Sequence, residues 1–488
     1  MRKKNRKVLT SHHDQGIMRL VFFYLVPFLI LVLLFLAGAP ASASGESLEG
    51  TSEFSEAFGE WGDFSSGSSG PSVPSESSVQ AGETALYGYI ETAATAVFNE
   101  GDEKLSTGSA ARFRLKGEWR PVELITARME LLYQEQTGAV NPLVTYNSLG
   151  INPDTMLQAE NPQDSFLERL EIDHAWAVVN LGSFDISFGK LPMAWGNAWL
   201  YNPTDRLGAS VSLEDREAET AGTAAIVPVW YPGSGWAVEG TLVFRQRGME
   251  NSALIGSADP ENLPFGLKIK GYAAGFDFAL SFMREVWYTG APGGYLASDP
   301  TTPAESWERT YFLGFDTIGS AGPAGLYLEA SVAAPQNGNS MDFSADWNLA
   351  EVLDLSAGIE YASGPFSLKA EYIYSSAGED SSDDYDPGLL ISGRAFFLGR
   401  HYLFLYSSRT FGDFFEVSAA GIINVNDWSA ALSVEALYPF LDDFAVSAGL
   451  SCPLGPAGSE YNGRFDLGTG EKLDLMHPEI SLSLKTSF

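Results

Sequence analysis

From about residue 85 onward the chain repeats one local pattern: stretches of roughly ten residues in which apolar and polar side chains alternate, separated by turn formers. In "AARFRLKGEW", Phe113, Leu115 and Trp119 fall on one face, and Arg112, Arg114, Lys116 and Glu118 on the other. "ITARMELLY", "GFDFALSFMREV", "FSLKAEYIY" and "WSAALSVEALY" read the same way. The last residues, "SLSLKTSF", alternate to the very end. About eighteen such segments, give or take two, can be counted by this period-two pattern. They centre near Ile90, Leu115, Met129, Ala175, Ile186, Ala224, Thr241, Ile269, Leu280, Phe312, Leu328, Ala357, Ala370, Phe404, Ala419, Val434, Ala448 and Leu484.

The connections between segments differ systematically in length. After even-numbered segments they are tight: "WRPVE", "NLGSF", "YPGSG", "AAGF", "GSAGP", "ASGP", "TFGD", "PFLDD". After odd-numbered ones they are mostly long, with "NVND" as an exception. An up-and-down antiparallel meander places all even turns on one side and all odd turns on the other. One tight side and one elaborated side is the asymmetry of membrane barrels, whereas a soluble sandwich has no reason for it. Segments of about ten residues suit a tilted strand crossing a bilayer. In lipid the sheet must close, because an open edge leaves backbone groups unpaired. The fold expected is all-β: a transmembrane up-and-down antiparallel β-barrel of about 16–18 strands. Its short turns lie on the periplasmic side and its long loops outside. Closure requires the last strand to pair with the first.

Composition narrows the function. The formal charge is −33, and one cysteine, Cys452, is present. An acidic chain does not bind nucleic acid through phosphate contacts. A single cysteine excludes an internal disulfide framework and any multi-cysteine metal site. The N-terminus carries a basic stretch, "MRKKNRKVLT", then an apolar run and "APASASG". This is the pattern of a signal peptide over residues 1–43, with cleavage after Ala43. An uncleaved anchor is the alternative, and Met18 offers a second start. Residues 44–82 are Ser-, Gly- and Glu-rich and read as a flexible acidic lead-in. The barrel then occupies 83–488.

With these features in place, the C-terminal strand ending on Phe488 resembles the terminal signal of bacterial outer-membrane β-barrel proteins. The resemblance implies that Leu484, Thr486 and Phe488 are read by the barrel-assembly machinery, and that the chain sits in the outer membrane of a diderm bacterium, against outer-membrane lipid. A second motif, "FGKLPMAWGNAWLYNPTDRL", resembles a "G-[KR]-x-x-x-x-W-G … N-P-T-D" stretch of porin-like proteins of unassigned substrate. Gly189, Lys190, Trp195, Gly196, Asn202, Pro203, Thr204 and Asp205 carry the match. In trimeric general porins the third outside loop folds into the lumen. By that resemblance Trp195, Asn197, Asn202, Asp205 and Arg206 belong to a constriction loop. The alternative is a rigid outside loop, with Trp195 and Trp199 in the aromatic belt.

The polar faces sketch a lumen. Arg112, Arg114, Lys116 and Arg128 form one basic group, and Arg245, Arg247, Lys268 and Lys270 a second. Glu171, Asp173, Asp277, Glu329, Asp354, Glu360, Glu371 and Glu435 supply acids elsewhere. Such ladders create transverse fields in a water-filled pore. A barrel of about eighteen strands is too wide for side chains to fill, so water or an inward-folded segment occupies the middle. The pattern points to no catalytic set, cofactor or metal. His174 is placed by alternation on the lipid face with Leu170, Ile172, Trp176 and Val178. The acidic loop "AGEDSSDDYDPG" offers oxygen ligands but follows no cation-loop template. The function expected is a porin-like channel for passive passage of small hydrophilic solutes, as a monomer or homo-oligomer. A structural or surface-interaction barrel is the first rival, and a barrel hydrolase the second.

Overall fold

The structure is a computed structural model. It describes residues 82–488 apart from 100–103, 139–165, 209–221, 245–261, 289–306, 335, 338–339, 342–347, 349–351, 392–394, 413, 442, 463, 467–471 and 475. The signal-peptide segment, nearly all of the lead-in, Arg245 and Arg247 therefore lie outside the described residues.

Eighteen strands form one closed antiparallel sheet. In chain order they are β1 (Thr84–Asn99), β2 (Lys104–Val122), β3 (Ile125–Gly138), β4 (Phe166–Asn180), β5 (Phe184–Pro192), β6 (Gly222–Gly233), β7 (Trp236–Val243), β8 (Phe265–Ala273) and β9 (Phe276–Tyr288). They continue as β10 (Trp307–Ala321), β11 (Ala324–Ala333), β12 (Leu353–Ser363), β13 (Phe366–Tyr374), β14 (His401–Phe411), β15 (Phe415–Asn424), β16 (Ser429–Leu441), β17 (Phe444–Leu454) and β18 (Glu479–Ser487). Each of the eighteen sequence-derived centres falls inside one of them. Every strand pairs with its chain neighbours, and β18 returns to β1. The turns after even strands span a few residues at one rim. Connections at the other rim are long except after β1 and β15, where 100–103 and 425–428 suffice.

Period-two alternation sets the two faces. Leu86, Ile90, Leu170, Leu280, Leu313, Leu450, Leu482 and Leu484 point outward and are exposed. Their neighbours Lys268, Asp316, Glu329, Glu371 and Arg114 point inward and are buried. An apolar outside around a polar inside is the inverse of a water-soluble sheet protein, and it is the distribution a bilayer demands.

One strand breaks the alternation. Glu130 pairs with His174 and Leu131 with Ile172, so Asp173 is an extra residue, a β-bulge in β4. A bulge shifts the phase of everything beyond it. Leu170 and Ile172 face outward, but His174 is 3 % exposed and turned inward. The assignment of His174, Trp176 and Val178 to the lipid face is thereby corrected: strict alternation carried through the strand misses the inserted residue.

The seam joins β1 to β18 over nine residue pairs, from Tyr89 with Ser487 to Val97 with Glu479. Phe488 extends it: its N–H donates to the Gly88 carbonyl at 3.0 Å, and Gly88 N–H donates to the Phe488 carbonyl at 3.0 Å. The Phe488 ring stacks on Phe113 at 6.2 Å between centroids. A Cβ on Gly88 would lie 2.2 Å from the Arg114 carbonyl oxygen and 3.1 Å from the Phe488 ring. Glycine there lets the terminal aromatic lie flat against the first strand. Gly88→Val is expected to abolish closure, read as loss of the heat-modifiable folded band in cold SDS electrophoresis. Gly117→Val is the control: its Cβ would meet nothing nearer than 3.8 Å, and the band should persist.

Candidate functional site: the inward loop and the lumen wall

The connection after β5 does not leave the barrel. Residues 193–208 fold into the lumen and dock against the inner face of β6–β14. Trp195 is 3 % exposed and Asn197 5 %. Met193, Trp195 and Leu207 pack with Val227, Val243, Met283 and Phe312 in a dry core between loop and wall. Trp199, Leu200 and Tyr201 pack against a second apolar cluster that contains Phe397, Tyr402 and Phe404. Trp195 and Trp199 thus lie inside the barrel, away from any outer aromatic belt.

Two wall carboxylates hold the loop. Glu371 on β13 accepts from three consecutive backbone amides, Trp199 at 2.9 Å, Leu200 at 3.0 Å and Tyr201 at 3.1 Å. The Tyr327 hydroxyl at 2.6 Å and the Ser356 hydroxyl at 2.7 Å donate to the same group. Successive amides turned to one side form a nest for an anion, and here the anion is a side chain of the barrel. Glu329 on β11 accepts from Asn197 N–H at 2.8 Å, Ala198 N–H at 3.2 Å, Thr204 N–H at 2.7 Å and the Thr204 hydroxyl at 2.8 Å. Gly196 has φ +104°, and a Cβ there would sit 2.3 Å from Glu329 Oε2. The "WGN" of the motif therefore needs its glycine for close approach.

The other loop residues extend this docking. Asn197 Nδ2 donates to Asp316 at 2.6 Å, so one residue bridges Asp316 and Glu329, which stand directly opposite on β10 and β11. Like charges in that position repel. Lys268 Nζ, 3.1 Å from Asp316, offsets part of this, and lies 5.6 Å from the Trp195 ring centroid. Trp195 Nε1 donates to Glu239 at 2.9 Å, and Glu239 pairs with Lys270 at 3.0 Å. Arg206 pairs with Asp354 and its guanidinium sits 4.6 Å from the Phe312 ring centroid. Asp205 Oδ1 accepts from Gly208 N–H at 3.1 Å, closing the turn on itself. Asn202 lies against Gly196.

The basic group on β2 and β3 lies inward and is paired. Arg114 is 3 % exposed, with its guanidinium 2.9 Å from Glu130 and 3.0 Å from Asp173. Arg128 meets Glu118 at 2.8 Å and Arg112 meets Glu91 at 3.8 Å. Lys116 is half-buried beside them. Glu171 bonds Arg169 at 2.7 Å. Glu130, Asp173 and His174 bring three ligand-type atoms within 4.8 Å of one another. They resemble a metal set in chemistry, but the Arg114 guanidinium fills the space between the two carboxylates with a permanent cation. In the acidic loop, Asp383 and Asp384 sit exposed in a short 3-10 turn and Asp380 faces Arg400 at 3.5 Å. These three carboxylates form no common cage.

The remaining wall is of another kind. Inward positions on β15–β18 and β1 carry Ser418, Ser433, Glu435, Ser447, Ser451, Ser481, Ser483 and Thr95, all partly exposed. Ser447 and Ser483 hydroxyls bond at 2.8 Å. Lys485 lies 4.5 Å from the Tyr89 ring centroid. This hydroxyl wall was present in the "SLSLKTS" alternation, but its meaning depends on the opposite wall being filled, which no local pattern discloses. The carboxylates Glu329 and Glu371 were among the lumen acids, yet nothing near them in sequence marks them as anchors for a loop more than a hundred residues away.

No family model matches the chain, and no curated protein does. Among solved structures, two engineered variants of Rhodopseudomonas blastica porin align over 83 % of this chain and 100 % of theirs. Their identities are 12 % and 13 %, each with a TM-score of 0.38.

Replacing Glu371 by Gln places an amide NH₂ within a ring of donors. Each buried unsatisfied group costs about 1–3 kcal/mol, and every 1.4 kcal/mol is tenfold in an equilibrium. Trypsin cleavage after Arg206 in the refolded barrel is therefore expected to quicken at least about tenfold in Glu371→Gln, with the heat-modifiable band retained. Unchanged protection would show that the loop holds without this carboxylate.

Proposed function

We propose that the protein is an outer-membrane, porin-like channel for passive passage of small hydrophilic solutes. The observation that carries this reading is the inequality of the two lumen walls. On β6–β14 the inward side chains are largely buried beneath the 193–208 loop, and they include large apolar and charged groups. On β15–β18 and β1 most inward side chains away from that packing are small hydroxyls, with Glu435 and Lys485 interspersed, and these stay partly exposed. The passage is therefore off-axis, between the loop and the serine wall, with Tyr87, Arg112 and Lys116 at its β1–β2 flank. Hydroxyls exchange hydrogen bonds with water at little cost, which suits transit better than tight binding. The apolar outer band and the rim of short turns support an outer-membrane location, with the terminal strand serving barrel assembly. The docked loop takes the role of a constriction, held by Glu329 and Glu371.

Single-channel recording of the refolded chain from Ser44 onward in a planar bilayer tests the reading. Stable conductance steps are expected. Ser447→Trp and Ser483→Trp together should lower the step by more than roughly half, because two indoles enter the narrow file. Val434→Trp, on the outward face, should leave it unchanged. A folded barrel that stays electrically silent would overturn the channel and shift the weight to a surface-binding role.

A further inference from the structure

The mouth above the inward loop is covered. The described parts of the connection between β13 and β14, residues 375–391 and 395–400, turn back over the barrel, with Phe397 and Leu398 buried. Tyr201 of the inward loop meets Phe396 at 5.6 Å and Phe397 at 5.3 Å between ring centroids. The connection after β17 comes down beside it and buries Ser459, Glu460 and Tyr461. One side chain ties these pieces together. Glu460 accepts from Leu398 N–H at 3.0 Å, the Tyr402 hydroxyl at 2.5 Å and Asn424 Nδ2 at 2.7 Å. Those donors come from the first covering segment, from β14 and from β15. Tyr402 Oη in turn accepts from Gly399 N–H at 2.6 Å.

We propose that Glu460 is a protonation-controlled latch that docks the 395–400 and 455–462 segments over the mouth of the lumen. This rests on the channel reading in that the mouth it covers is that of the passage. The surroundings of Glu460 are acidic or neutral. Asp427 Oδ2 accepts Glu460's own N–H at 2.7 Å. The phenols of Tyr385, Tyr402 and Tyr461 and the Asn424 amide complete the shell. The nearby cations are engaged elsewhere: Arg400 with the Gly378 carbonyl at 2.7 Å and Asp380 at 3.5 Å, and His401 with the Tyr372 hydroxyl at 2.8 Å. A carboxylate in such a place is costly to ionise. Burial pushes Glu460 up to about 7 from its ordinary 4.5, against the bonds from Tyr402, Leu398 and Asn424 and with Asp427 adding to the rise. A raised acid binds its proton more tightly docked than released. The docked state is thus favoured fully below about pH 4.5, loses that advantage as pH rises through about 7, and is weakest above it.

The test uses the full refolded chain in a Cys452→Ser background with Ser459→Cys as reporter. Labelling by a membrane-impermeant maleimide is referred to an exposed Asp383→Cys control at each pH, which removes the thiol's own titration. The normalised rate should rise at least about tenfold from pH 5 to pH 8, and Glu460→Gln should flatten the ratio with the folded band retained. A ratio independent of pH in the parent, or one that still rises in Glu460→Gln, overturns the latch. Conductance separates the two readings. Steps that grow with pH only when Glu460 is present support both. Silence at both pH values with a pH-dependent labelling ratio leaves the latch standing and removes the channel.

Discussion

Two carboxylates inside the barrel set the terms for the rest of the molecule. Glu329 and Glu371 are fully buried, and a buried carboxylate without donors would be untenable. Most of the donors come from the backbone of a single loop. Three consecutive amides meet Glu371, beside the Tyr327 and Ser356 hydroxyls of the wall, and three amides and the Thr204 hydroxyl meet Glu329. This arrangement works in both directions, because the loop's own amides would be equally costly to bury unpaired. Neither partner is stable in this place alone, so wall and loop define one another.

The consequence runs around the barrel. Where the loop docks, the wall supplies acids, lysines over indole rings and a tight apolar core. Where it does not, the wall thins mainly to serine, threonine and glycine, with Glu435 and Lys485 interspersed. The same eighteen strands thus build two interiors of different material, one close-packed and one with partly exposed side chains. The bulge at Asp173 serves the boundary between them. By inserting one residue it brings Asp173 and His174 to the same side, where Arg114 gathers both carboxylates of that cluster.

The sequence discloses the barrel more readily than its contents. Strand positions follow from period-two alternation, which is local, and from turn formers, which are local too. His174 is the instructive failure: alternation is a parity argument, and one inserted residue reverses parity for the remainder of β4. The inward loop was legible as a motif, with Trp195, Gly196 and Asn202 in place. Its inward direction rested on a resemblance, with an outside loop as the alternative, because the groups that capture it, Glu239, Asp316, Glu329, Asp354 and Glu371, lie on later strands far along the chain. Likewise Glu460 is unremarkable in "GSEYNG". Only the convergence of Leu398, Tyr402 and Asn424 gives it a role.

The seam has a consequence in time. β1 and β18 are the most widely separated strands of the sheet along the chain, yet they pair along nine positions. Until β18 is in place, β1 presents an unpaired edge, and the sheet has no ring to complete. Contacts of this sequence separation are the slowest a chain can form. An unpaired edge is also where a second chain can add. The barrel is therefore most exposed to misassembly just before its seam closes. Loss of only the last few residues would leave both edges open on an otherwise intact chain.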